Sequence, residues 1–278
     1  MNVSEHPSDD LAVRMDTAVD RLITAERTRT PCAPVRDLVG AGDVDIAYRV
    51  QQGVVDHRRR GGSVVVGRKI GLTSAAVQRQ LGVDRPDFGV LFDDMDVSGL
   101  DTVPIGRLLQ PRVEAEVAFV LGADLAGDDL GLSAVRAAVE YATAALEIVD
   151  SRIANWDITI GDTIADNASS GLFVLGDRKV SLAEFEPVNV AMTMQLDGAA
   201  ASAGTGADCL GDPMIALLWL ARTAQAFGEP LRAGQVVLSG ALGPMAVVRP
   251  GTTVRAEISA LGEVVADFGV ESEGIGDH

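Results

Sequence analysis

The 278 residues include 40 Asp or Glu against 23 Lys or Arg, a formal charge of −17 at neutral pH. Binders of nucleic acid or anionic membranes gather cations on one face, whereas the basic run here, Arg58-Arg59-Arg60, sits beside Asp56, so neither partner is expected. With 47% hydrophobic and 23% charged residues the chain reads as a folded protein with a sizeable core, which excludes disorder of the whole. Lysine occurs only as Lys69 and Lys179, so a lysine in a chemically suggestive setting stands out. Cys32 and Cys209 have no CxxC spacing and read as inert thiols. The start carries no cationic, apolar leader, and the apolar run Met214 to Ala221 is far short of the roughly 20 residues that a membrane span takes. A cytoplasmic protein is expected.

In chain order, residues 1–9 are polar and expected to fray. Asp10 to Arg29 predicts a helix with Leu11, Met15, Ala18, Val19, Leu22 and Ile23 on one stripe, stopped by the Pro31 and Pro34 segment. A second helix is predicted from Asp43 to Arg60 on Ile46, Val50 and Val54, its terminal arginines facing the negative end of the helix dipole. Gly61-Gly62 breaks it, and the β-branched run Ser63 to Ile70 predicts a strand ending at Gly71. Asp87 falls in a turn-prone segment, Val113 to Leu121 predicts a strand, Leu132 to Leu146 a helix, and Leu172 to Leu175 a short strand. Val188 to Leu196 alternates strictly and meets the hairpin turn Asp197-Gly198. Asp212-Pro213 caps a helix that stops at Gly228. Short strands at Val236–Ser239, Met245–Val248, Val254–Ile258 and Val264–Phe268 close the chain. The fold class is α+β: a helical N-terminal region over 1–60, a β-rich body over 61–270, and an acidic tail over 271–278 expected to be disordered.

The strongest chemical signal is Val113-Glu114-Ala115-Glu116-Val117-Ala118-Phe119-Val120. In a strand Glu114 and Glu116 share a face about 7 Å apart, and both faces read as buried. Adjacent buried carboxylates repel and lose hydration, a cost of several kcal/mol per ion that a divalent cation would offset. The plainer alternative is a strand whose acidic end projects into solvent. Glu147, inside Ala144 to Val149, is a third acid in an apolar setting. Three carboxylates without His or Cys suit a hard cation, Mg²⁺ or Mn²⁺, and disfavour zinc. Lys69, between Gly67 and Gly71, could bind a substrate carboxylate or, if its pKa is lowered, move protons, or could simply extend its chain from a strand end. Asp87, among apolar neighbours, suits acid/base work through a raised pKa, or could be an ordinary turn residue. The Asp166–Gly171 and Ser239–Pro244 loops could offer donors to an anion or be tight connections. Gly204-Thr205-Gly206 completes no dinucleotide-binding fingerprint.

Taken together, GRKIGLTSAAVQRQLGVDRPDFGVLFDDM (67–95), QPRVEAEVAFVLGADL (110–125), ALEIVDSRIANWDITIGDTIADNASSG (145–171) and SGALGPM (239–245) resemble the fumarylacetoacetate hydrolase superfamily, in its 2-hydroxypentadienoate hydratase branch, over about residues 10–270. The resemblance implies a mixed β-roll or barrel in a homo-oligomer, a pentamer or decamer. It implies a divalent metal on Glu114, Glu116 and Glu147, with Lys69, Asp87 and Ser169 as catalytic residues. Leu72, Gly240, Ala241 and Gly243 would line the substrate, a small 2-hydroxy-2,4-dienoate. The implied reaction is hydration to a 4-hydroxy-2-oxoalkanoate in aromatic or steroid catabolism. The nearest rival is 4-oxalocrotonate decarboxylase, similar in the EAE and ADNASS segments. An acylpyruvate-type C–C hydrolase would require a His/Glu pair, for which His57 at a helix end is badly placed. A non-catalytic binding protein on the same fold is the rival of a different class.

Overall fold

A computed structural model describes residues 7–74, 78, 85–127 and 129–269. The expected acidic tail lies outside these residues, as does the expected frayed start up to residue 6; Pro7 already begins the first helix. The helices are α1 (Pro7–Thr28), α2 (Arg36–Val39), α3 (Val44–Arg60), α4 (Leu132–Ala138), α5 (Ile160–Ala165) and α6 (Pro213–Ala226). The strands are β1 (Val65–Gly71), β2 (Asp87–Phe92), β3 (Arg112–Leu121), β4 (Val139–Val149), β5 (Ser170–Leu175), β6 (Ala191–Leu196), β7 (Ala199–Thr205), β8 (Val236–Ala241), β9 (Ala246–Val247), β10 (Thr253–Ile258) and β11 (Gly262–Asp267).

One sheet runs β2-β1-β8-β3-β4-β5 with β9 added to β3, and a second runs β11-β10-β6-β7. The β1–β8 pair is parallel and the other ladders are antiparallel, which makes the first sheet mixed. Alternation along β3 explains its position. Val113, Ala115, Val117 and Phe119 face the main core, shared with Val254, Ala256, Ile258, Val264 and Ala266 of the second sheet. The opposite face passes from Ala118 into a smaller core with Ala145, Phe173, Leu238, Leu91 and Phe92. Glu114 and Glu116 continue that second face, so the acids are buried because both faces of their strand are covered.

Three sequence expectations are corrected. The predicted helix Leu132–Leu146 stops at Ala138, and the chain continues as β4, pairing with β3 from Arg112↔Val149 to Leu121↔Val139. The alanines of this stretch favour helix, but Val139, Tyr141, Thr143, Ile148 and Val149 pack well in a sheet, and the ladder with β3 outweighs a weak local preference. Asp87, expected in a turn, opens the edge strand β2. The strand predicted over Val188–Leu196 is shortened to β6 from Ala191, because Pro187–Asn189 forms a 3-10 turn; elsewhere local signals hold. Asp43 caps α3 by accepting the Ile46 N–H, and Asp212 caps α6 by accepting the Met214 N–H. The buried residues of α3 are Ala47, Tyr48, Val50, Gln51, Val54 and Val55, which include Val50 and Val54 of the predicted stripe while Ile46 is only partly buried, and they carry a glutamine into the interior. Among the described residues no helix is long and apolar enough to cross a membrane.

Candidate active site

The β3–β4 register sets Glu114 directly opposite Glu147 and Glu116 opposite Ala145, so all three acids lie on one sheet face. Glu114, Glu116 and Glu147 each bring a carboxylate oxygen within 4.8 Å of the others, and each is buried. Glu116 Oε2 accepts the Gly240 N–H at 2.7 Å, whereas Glu116 Oε1 and Glu147 Oε2 have no hydrogen-bond partner. Buried, partnerless carboxylate oxygens that converge are a set of hard donors, and a divalent cation fits them on charge and on ligand type. Burial first, and then the charge of the neighbouring glutamates, raises the pKa of Glu114 and Glu116; burial likewise raises Glu147, against the pull of Lys69.

Gly240 reaches Glu116 through a β-bulge. The β3–β8 register shifts between Glu116↔Ala241 and Ala118↔Leu238, and Gly240 has φ +110°, a conformation that L side chains rarely adopt. A side chain at this position would also collide with Thr73.

Lys69 projects from β1 with its side chain 3% exposed, and its Nζ lies 3.0 Å from Glu147 Oε1. Burial works against its charge, but Glu147, Asp87, Glu114 and Glu116 outweigh it and hold the pKa above that of an ordinary lysine, the reverse of the lowering that proton transfer was expected to need. Asp87 stands across the β1–β2 ladder from Gly71, where a side chain would collide with Asp87 Oδ1 and come within 3.4 Å of Lys69 Nζ. The bare glycine is what lets the acid and the amine share this space. Asp87 Oδ2 accepts the Thr163 hydroxyl at 3.4 Å, and Asp87 Oδ1 has no partner. Burial pushes the Asp87 pKa up to about 6, with Lys69 pulling it down and Glu147 pushing it further up.

Ser169 is buried with its hydroxyl unpartnered, and its carbonyl accepts the Asp150 N–H three residues past Glu147. Leu72 follows β1 with φ 57°, its carbonyl held by Gln78 Nε2 at 2.7 Å. Ala241 ends β8 opposite Glu116. Gly243 packs against the β6–β7 hairpin, where a side chain would lie 2.8 Å from Met192 Cε and 2.9 Å from Ser202 Oγ. His57 is exposed near the end of α3. Sequence reasoning did not single out Thr163 or Gln51 and reached Asn167 only as part of the Asp166–Gly171 loop; all three contact Asp87 or its strand, and a glutamine within the apolar face of α3 was the signal for Gln51.

The fumarylacetoacetate (FAA) hydrolase C-terminal model matches residues 64–268. The chain is 50% identical over 251 residues to the TodF product hydratase of Pseudomonas putida, covering 90% of this chain and 94% of that protein. It is 49% identical over 261 residues to a 2-keto-4-pentenoate hydratase of Burkholderia vietnamiensis, covering 94% and 99%. Among solved structures, 4-oxalocrotonate decarboxylase from Pseudomonas putida G7, complexed with magnesium and adipate, superposes with TM-score 0.86 at 31% identity, covering 96% of this chain and all of that one. The β3 acids, the mixed sheet that buries them and these matches have one conclusion: the chain belongs to the fumarylacetoacetate hydrolase family.

Proposed function

We propose that the protein is a metal-dependent hydro-lyase that adds water to 2-hydroxypenta-2,4-dienoate, or a close homologue, to give 4-hydroxy-2-oxopentanoate. The observation that carries this reading is the meeting of Glu114, Glu116 and Glu147 with Lys69 and Asp87 in one buried cluster. Relatives of about half identity that are hydratases support the reaction class. Glu114, Glu116 and Glu147 would hold Mg²⁺ or Mn²⁺, which when bound supplies positive charge for a 2-oxo acid's carboxylate and for its enolate.

The remaining work belongs to the side chains. The C2 hydroxyl of the dienoate gives up its proton while C5 gains one, which leaves a C2 ketone conjugated to a C3=C4 double bond. Water then loses a proton as its oxygen bonds to C4, and C3 takes a proton to complete the addition. Asp87 suits the proton transfers, since its pKa of about 6 leaves both forms accessible near neutrality. Lys69, held charged beside Glu147, orients the anionic substrate and shares the proton transfers. In this reading Ser169 joins Asp87 and Lys69 as a catalytic residue, and Leu72, Gly240, Ala241 and Gly243 line the substrate. The assembly would be a homo-oligomer in the cytoplasm.

The test is the loss of dienoate absorbance with Mg²⁺ or Mn²⁺, run beside CO₂ release from 2-oxohex-3-enedioate. Faster CO₂ release would replace hydration by decarboxylation, the second reading, which the likeness to the decarboxylase structure favours. Near-normal turnover in Glu114→Gln would remove the metal from the reaction.

A further inference from the structure

Asp87 opens an edge strand, and an edge strand leaves alternate N–H and C=O groups without a neighbouring ladder. In β2 these groups belong to Phe88 and Val90, and side chains from two other segments take them up. The Phe88 N–H donates to Tyr48 Oη at 3.3 Å, and the Phe88 carbonyl accepts from Gln51 Nε2 at 2.9 Å. The Val90 N–H donates to Asn167 Oδ1 at 2.8 Å, and the Val90 carbonyl accepts from Asn167 Nδ2 at 2.9 Å. Asn167 thus meets Val90 as a neighbouring strand would, with a donor and an acceptor side by side on one short side chain.

Asn167 also opens the segment that carries Ser169. Asn167, Ala168 and Ser169 have φ of 51°, 51° and 53°, three successive non-glycine residues in left-handed backbone. Such a run persists only where its surroundings hold it. One end is held to β2 through Val90, three residues past Asp87; the other is held just beyond the end of β4 through the Asp150 N–H to Ser169 carbonyl bond, three residues past Glu147. Between them, Gly89 lies opposite Lys69 in the β1–β2 ladder, and a side chain there would collide with the Asn167 carbonyl. Arg152, buried and bonded to Asp166 and to the Ser170 carbonyl, braces the segment from behind.

We infer that Asn167 is a positioning residue whose carboxamide sets Asp87 at a fixed distance from Ser169 and from the acid-bearing strand β4. The inference rests on the reading of Asp87 as a proton-transfer group. It differs from a merely structural role in acting through Asp87.

The test uses the full chain with Mn²⁺ and 2-hydroxypenta-2,4-dienoate, comparing Asn167→Ala and Asn167→Asp in the wild-type and Asp87→Asn backgrounds. Asn167→Ala is expected to lower kcat on the order of 100-fold, the cost of a small misplacement of a reacting group, while KM and the Mn²⁺ dissociation constant stay unchanged. Asn167→Asp keeps the volume and the acceptor for the Val90 N–H but loses the donor, and it should fall between the two. In the Asp87→Asn background the Asn167 substitutions should cost much less than in the wild type, because the group they displace through β2 is gone and only the effect carried by Ser169 remains. An undiminished extra loss in that background, or a wild-type kcat in Asn167→Ala, overturns the inference. Where Asp87→Asn is too slow to follow, the kcat against KM split in the single variants decides, and a loss carried by KM overturns it. Wild-type turnover in Asp87→Asn alone would refute the reading of Asp87, and the inference with it, a result distinct from additivity.

Discussion

Glu114 and Glu147 are direct cross-strand partners in the β3–β4 ladder, two acids facing each other with side chains on one buried sheet face. Like charges in such a pair destabilise a sheet unless a cation lies between them. Lys69 contributes one positive charge to the cluster, at 3.0 Å from Glu147. One ammonium does not neutralise three carboxylates, and this imbalance motivates the first two predictions.

Adding Mn²⁺ should stabilise the wild-type protein strongly, by about 2.7 kcal/mol when free metal is 100 times its dissociation constant. Glu114→Gln and Glu116→Gln should melt at or above the wild-type temperature in chelator, because a buried like charge is gone, and should gain little from metal. Thermal melts with and without Mn²⁺, together with calorimetric titration, check this. A wild-type metal response in both variants would contradict the assignment of these ligands.

Lys69→Met should have the opposite signature. Removing the ammonium leaves Glu147 buried without its cation, a change of the kind that costs about 3–5 kcal/mol, so the metal-free variant should melt well below wild type. Metal should restore much of the melting temperature but not turnover, which is expected to remain down by about 10²–10⁴-fold. Recovery of both would show that Lys69 serves charge balance alone.

Gly240→Ala should damage fold and site together. The residue has φ +110°, an added methyl meets Thr73, and the Gly240 N–H holds Glu116 Oε2. A non-glycine residue in such backbone costs about 1–3 kcal/mol, so a lower melting temperature and a weaker Mn²⁺ affinity are expected in one variant. An unchanged affinity would uncouple the bulge from the metal site.

Asp162→Ala should separate stability from chemistry. Asp162 is buried and accepts the Val35 and Arg36 N–H groups and the Arg36 guanidinium, which fastens the segment between α1 and α3 to α5. Each buried donor left without an acceptor costs about 1–3 kcal/mol. Denaturant unfolding should show that loss, with Mn²⁺ affinity at the wild-type value.

The β3 acids were legible in the sequence because strand alternation is a local rule: residues two apart share a face, and the apolar residues around Glu114 and Glu116 announce that both faces are covered. The scarcity of lysine marked Lys69 in the same way, and the long motifs pointed to the family. The strand pairing that joins them to Glu147 and Asp87 was not legible. Glu147 lies in an alanine-rich stretch whose local preference is helical, and only the ten-residue pairing with β3 makes it a strand and sets Glu147 across from Glu114. Asp87 became an edge-strand residue through its pairing with β1, and Asn167 acquired its role through contact with a strand 77 positions earlier. By itself, then, the sequence marked the candidate side chains for the chemistry and the face of β3 that bears Glu114 and Glu116. Tertiary structure alone decided how they converge, because contacts between distant strands leave no periodic trace along the chain.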